Sequence, residues 1–203
     1  MFLNRVILLV LVIIGTLENF SSAAKFKTTI FDDYVYGDCD NQPENVLNIK
    51  TAFDTSEFII HNDVDNVTLS GNLTSRWDIQ KTDRLEGIFQ LHYLDHGSWQ
   101  PTMYSIRLKN VCAVMYDKNQ HWYKAWTSHI INIDEVKDNC VNVPGTKLIH
   151  EPFELVFIFD LRTPIDTNGL YRLFIAIAAY DESSRKRDTS ICFTIRVQFE
   201  KID

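Results

Sequence analysis

No stretch of this 203-residue chain is both long and uncharged enough to cross a bilayer as a helix, which takes roughly 20 apolar residues. Local motifs of hydrolytic chemistry are missing as well. There is no H-E-x-x-H spacing for a zinc hydrolase and no G-x-S-x-G elbow for an α/β-hydrolase. Cysteines are few, and no two of the four stand in the C-x₂₋₄-C spacing of a zinc site. Positive charge is in deficit, 20 Lys and Arg against 27 Asp and Glu for a net charge of −7, which argues against nucleic acid and anionic membrane surfaces as partners. Internal repeats, low-complexity tracts and inter-domain linkers are also lacking, so one domain is expected.

The chain opens with Met1-Phe2-Leu3-Asn4-Arg5, runs uncharged from Val6 to Gly15 and then reaches the small residues Ser21-Ser22-Ala23-Ala24. That order of charge, apolar run and small residues predicts a secretory signal peptide over 1–24, leaving 25–203 as a secreted domain with no transmembrane segment. In an oxidising compartment the even set Cys39, Cys112, Cys140 and Cys192 predicts two disulfides, with three pairings open. Asn66-Val67-Thr68 and Asn72-Leu73-Thr74 are glycosylation sequons, marking Asn66 and Asn72 as acceptors.

Strand patterns dominate. Ile191, Phe193, Ile195, Val197 and Phe199 alternate with Cys192, Thr194, Arg196 and Gln198, a half-buried strand, and Leu170 to Tyr180 is apolar on both faces, a strand inside a sheet. The basic segment between them, with Arg185-Lys186-Arg187, reads as a solvated turn. Phe26 to Tyr36 predicts a first strand, and Phe58 to Ile60, Asn66 to Leu69 and Asn72 to Thr74 continue the extended pattern. Leu85 to Leu108 predicts a hairpin about Asp95-His96-Gly97-Ser98. Phe153 to Leu161 predicts one more strand. Between Val111 and Ile133, Asn119, Trp122, Tyr123, Trp126 and Ile130 fall at the spacing of one helix face, which predicts a single helix. About eight strands with one helical insert make an all-β, two-sheet sandwich. Trp126 follows Cys112 at a spacing that could mimic an immunoglobulin core, but the residues between read as helix, and Ser190 stands where a tyrosine corner would place Tyr.

Six histidines, His61, His92, His96, His121, His129 and His150, have no carboxylate partner at a motif distance and read as surface or structural residues. No catalytic residue, metal or cofactor is assigned. The informative feature is an excess of apolar residues: an antiparallel sandwich keeps one face of each strand polar, yet Phe153 to Leu161 and Leu173 to Tyr180 are dry on both. Either the helix with Trp122 and Trp126 covers the second face, or the sheets splay around an apolar ligand, with small Ala176 and Ala178 leaving room.

Gly37-Asp38-Cys39-Asp40 at the start, Asn66-Val67-Thr68-Leu69-Ser70, and Asn168-Gly169-Leu170-Tyr171-Arg172-Leu173 followed by a basic turn and Ser190-Ile191-Cys192-Phe193-Thr194-Ile195 occur in an order that resembles the ML lipid-recognition superfamily, in its ganglioside-activator-like branch. The block Tyr116 to Trp126 is similar to the insect chemosensory CheA and CheB proteins. The resemblance implies an immunoglobulin-like two-sheet sandwich of the ML type, with Cys39 joined to Cys192 and Cys112 to Cys140. It also implies a non-enzymatic binder of an apolar small molecule or lipid, pheromones among them, acting near sensory-cell receptors. Candidate lining residues of a cavity between the sheets are Phe89, Leu91, Tyr104, Ile106, Trp122, Trp126, Phe157, Phe159, Phe174, Ile195 and Val197. The competing reading is an extracellular interaction module, or receptor co-factor, with Trp99, Tyr116 and Trp122 as an exposed contact patch.

Overall fold

The computed structural model describes residues 24–31, 35–62, 67–161 and 169–202, with the backbone alone at 159–161. The expected leader over 1–24, apart from Ala24, lies outside the described residues, as do the sequon residue Asn66 and the turn around Pro164. In chain order the elements are β1 (Ala24–Ile30), β2 (Val46–Leu47), α1 (Ile49–Ala52), β3 (Phe53–Asn62), β4 (Val67–Ser75), β5 (Arg84–Asp95), β6 (Ser98–Leu108), α2 (Val111–Met115), α3 (His121–Ala125), a 3₁₀ turn (Thr127–His129), α4 (Ile133–Val136), β7 (Lys147–Glu154), β8 (Phe157–Leu161), β9 (Gly169–Tyr180) and β10 (Lys186–Lys201).

The chain is mostly β, in two antiparallel sheets. The larger has the order β6-β5-β9-β10-β1-β8, with β2 adding a two-residue parallel pair to β10; the smaller has the order β3-β4-β7. The hairpin of β9 and β10 is at its centre. Ser190 pairs with Ala178 and the register runs unbroken to Phe199 opposite Gly169. Both strands are interior, each with a partner on either side, as the sequence predicts for β9. The intervening basic turn is closed by Asp181, whose carboxylate accepts from the Arg185 backbone N–H at 2.9 Å and from Arg185 Nε at 3.0 Å.

One cluster of buried side chains joins the two sheets. Leu69, Leu73 and Phe153 on the small sheet and Leu85, Ile175, Ile191 and Phe193 on the large one belong to it, together with Trp77 from the segment after β4. Trp77 is almost fully buried, and its Nε1–H donates to Thr189 Oγ1 at 3.0 Å, so its one polar atom is satisfied. Buried polar groups hold the loops beside it. Asn142 Nδ2 reaches the carbonyls of Gln80, Lys81 and Asp83, while the buried Asp83 carboxylate accepts two bonds from Arg187 at 2.8 and 2.9 Å. The Arg187 guanidinium holds the Asp83 carboxyl below the usual carboxylate range.

Three expectations change. First, the apolar run Phe153 to Leu161 is not one strand: Phe153 pairs with Leu69 in the small sheet, whereas Phe157 pairs with Thr28 in the large one. The chain changes sheets at Leu155-Val156. Phe153 and Leu155 are buried, Val156 and Phe157 half-buried and Ile158 exposed, so the run is not dry on both sides throughout.

Second, the insert is not one helix but three short helices and a 3₁₀ turn. Asn110 caps α2 by accepting from the Ala113 N–H at 3.1 Å. Asp117 then draws in the Asn119 N–H and the Gln120 side-chain amide, closing a turn that competes with helix continuation. Trp126, at φ −136°, breaks the helical path again before Thr127. A further helix, α1, begins where Asn48 accepts from the Lys50 N–H.

Third, β1 ends at Ile30, short of the predicted Tyr36, which sits in a turn at φ 65°.

The disulfides are Cys39–Cys192 and Cys112–Cys140. The first ties the Gly37-Asp38-Cys39 segment to β10, where Gly37 and Thr194 also exchange backbone hydrogen bonds at 2.8 and 2.9 Å. The second fastens α2 to the segment after α4. No helix among the described residues is long and apolar enough to cross a membrane.

Candidate functional site

The inner face of the large sheet divides into two regions. One is packed against the small sheet. The other encloses a cavity of about 390 Å³ whose lining comes from β1, β5, β6, β8, β9, β10 and α3, and from no strand of the small sheet. Strands β6 and β8 are the two ends of the large sheet, so a single cavity bordered by both requires the sheet to curve into a trough. The cavity therefore lies in the concavity of one sheet and not, as the sequence suggests, between two.

Its floor is Phe89, Leu91, Leu173, Val197 and Phe199, side chains that alternate onto the inner face by the strand period. One wall is β6, through Tyr104, Ile106 and Leu108; the opposite wall is Thr28 and Phe157. Trp122 of α3 closes the top, with its ring centroid 5.8 Å from Phe89 and 5.2 Å from Trp126. Met103 and Ile106 stand at the rim, 88% and 51% exposed.

The position of the Trp122 wall traces back to one glycine and one disulfide. A Cβ at Gly87 would lie 2.9 Å from the Phe89 ring and 3.0 Å from Val111 Cγ2. Glycine lets α2 settle onto β5 beside that ring. Cys112–Cys140 then fixes α2 against the rest of the insert. Tyr116, at the end of α2, bridges the Val136 and Asn139 carbonyls through its hydroxyl at 3.1 Å, and burial pushes its phenol up to about 12. Trp126 is buried and rests on His150 at 4.8 Å. His150 is itself buried among Trp126, Phe58 and Phe153, so aromatic packing supports the cavity roof from the small sheet.

Polar groups at the cavity are few and none is a carboxylate, lysine or arginine; Thr28, Tyr104, Ser105, Gln120 and His121 supply them. Thr28 Oγ1 donates to the Phe157 carbonyl at 3.3 Å, and Gln120 Nε2 donates to Asp117 at 3.1 Å. All four cysteines are in disulfides, which leaves no thiol nucleophile. Among the described residues no cluster of His, Cys, Asp and Glu could hold a metal ion.

Of the residues singled out in the sequence, Phe89, Leu91, Tyr104, Ile106, Trp122, Phe157 and Val197 come together around this cavity. Trp126 supports the roof from behind. Ile195 is buried one pair along from Val197, opposite Leu173, and belongs to the core outside the lining. Phe159 occupies the register position opposite Phe26, and its side chain lies outside the described residues.

Phe174 is a correction. It sits on the outer face of β9, stacked at 5.6 Å on His92, because its neighbours Leu173 and Ile175 take the inner face. That outer face also holds Ala176 and Ala178, with Ala176 directly opposite Cys192, so the room these alanines leave is beside the Cys39–Cys192 bridge and not in the cavity. Arg172 covers it further along, paired with Asp40 at 2.9 Å under the Trp99 ring. The missed lining residues include Leu173, Phe199 and Thr28. The first two lie in strands that the sequence pattern identifies, and choosing the same face of β9 and β10 throughout would have found them.

Trp99, Tyr116 and Trp122 do not form an exposed patch. Trp99 stacks on Arg172, Tyr116 is tied into the insert, and Trp122 roofs the cavity. The second sequon residue, Asn72, is on the small sheet, where its Nδ2 donates to Glu57 at 2.7 Å.

No protein-family model matches the chain, and no curated protein matches it.

Proposed function

We propose that this chain is a secreted, non-enzymatic carrier of a hydrophobic small molecule or lipid, of the ML, ganglioside-activator-like type, which holds its ligand in the trough of the large sheet. The cavity carries this reading. At about 390 Å³ it falls within the roughly 300–1,000 Å³ of small-molecule sites, and its walls are aromatic and aliphatic with a few polar groups, as such sites are. Burying an alkyl chain there would supply about 0.8 kcal/mol per CH₂. The two disulfides suit an extracellular setting. With the aromatic block Tyr116 to Trp126 roofing the cavity, the resemblance to insect chemosensory proteins points to an apolar cue, such as a pheromone, presented near a sensory-cell receptor. The interaction-module reading loses its motivating observation, since its three aromatics are packed against other parts of the chain.

Native mass spectrometry and solvent extraction of protein purified from secreting insect cells provide the test. The expected result is a co-purifying apolar molecule at up to one per chain, released on denaturation. Protein that carries none and takes up none on incubation with lipid extract would overturn the reading.

A further inference from the structure

From the chemistry of the lining we infer that the cavity selects an uncharged ligand, an aliphatic chain ending in a hydroxyl or similar hydrogen-bond donor, and discriminates against the corresponding carboxylate. The inference rests on the carrier reading above and narrows it. An ionised head withdrawn from water needs a countercharge or several donors. The lining has no lysine or arginine, its one basic side chain is the exposed His121, and Met103 and Ile106 at the rim are apolar. Two of its polar groups also spend a proton within the protein: Thr28 Oγ1 on the Phe157 carbonyl and Gln120 Nε2 on Asp117. The partner of Gln120 is itself an anion, Asp117, whose pKa is kept low because the Asn119 N–H donates to it. An alcohol meets the opposite situation. Its proton can be accepted by the Thr28 hydroxyl oxygen or the Gln120 carbonyl, and its neutral head costs little to desolvate.

The test measures displacement of a fluorescent naphthylamine probe by dodecanol and by dodecanoate, at a mildly alkaline pH where the acid is ionised. Dodecanol is expected to compete at least about tenfold better. Equal or stronger competition by dodecanoate overturns the selectivity and leaves the carrier reading standing. A probe that neither binds saturably nor is displaced by either overturns both. Met103→Lys supplies the missing cation at an exposed position that folding does not depend on, and it is expected to narrow the alcohol-to-acid ratio severalfold. An unchanged ratio in M103K would mean that the absence of charge does not set the preference.

Discussion

Replacing Cys39 and Cys192 together by alanine is expected to lower the unfolding free energy by about 5 kcal/mol, more than the loss of the other disulfide. The bond closes a loop with a sequence separation of 153, and in the chain-entropy description the constraint on the unfolded chain grows with the logarithm of that length. The Cys112–Cys140 loop, with a separation of 28, gives about 3.5 kcal/mol by the same relation. Denaturant melts of the two double variants against wild type check the order. A larger loss for C112A/C140A would contradict it. The two bonds should also differ in function. Cys112–Cys140 fixes the insert that roofs the cavity, so its removal should weaken ligand binding by more than its smaller stability effect suggests.

Acidification should destabilise the protein through His150. Its ring is buried in an aromatic nest, and desolvation lowers its pKa from 6.5 to about 4. The Gly71 and Leu148 backbones favour the charged ring slightly, but neither ring nitrogen has an aligned hydrogen-bond partner, and the nearby His129 opposes the charge. The unfolded chain takes up the proton near 6.5, the folded chain only near 4. Between those values the unfolded state holds the extra proton, so stability is full above 6.5, falls as pH drops towards 4 and levels off below. The expected loss is on the order of 3 kcal/mol. His92, lowered by burial and by Arg172, has the same sign. The bound carboxylates Asp54 and Asp83 act at lower pH. Comparison with His150→Phe isolates the one ring, since Phe suits the same nest. The stability gap between the variant and wild type should shift by about 3 kcal/mol in favour of the variant on going from neutral pH to about pH 4. Parallel pH curves would contradict the assignment.

The parts of the fold that are legible in the sequence are those where one local pattern decides the outcome. The alternation of Ile191 to Phe199 and the doubly apolar Leu170 to Tyr180 specify β10 and β9. The turn at His96-Gly97 specifies the β5–β6 hairpin, and Cys192 on a polar face signals a tethered thiol, whereas its pairing with Cys39 is implied only by the family resemblance. Features set by tertiary geometry are not legible. No glycine or proline marks Leu155-Val156, where the chain leaves one sheet for the other, so β7 and β8 merge into one run. The helical period through Trp122, Trp126 and Ile130 places all three side chains inward correctly, yet Asp117 and the backbone at Trp126 divide the segment. The apolar excess has other causes, the sheet change at Leu155-Val156 and the Cys39–Cys192 bridge beside Ala176, and does not locate the cavity. That location depends on the curvature that brings β6 and β8 to one cavity, which no single strand encodes.

The central claim is that the trough of the large sheet holds the ligand, and it is tested most directly by filling that trough. Leu173 lies on the cavity floor, half-buried and opposite Leu91 and Ile195, so Leu173→Trp directs an indole into the space. Probe binding and thermal melting are measured together on L173W and wild type. The expected result is saturable one-to-one binding by wild type, with affinity at least about tenfold weaker in L173W at a nearly unchanged melting temperature. Equal affinity in the two proteins would contradict the claim.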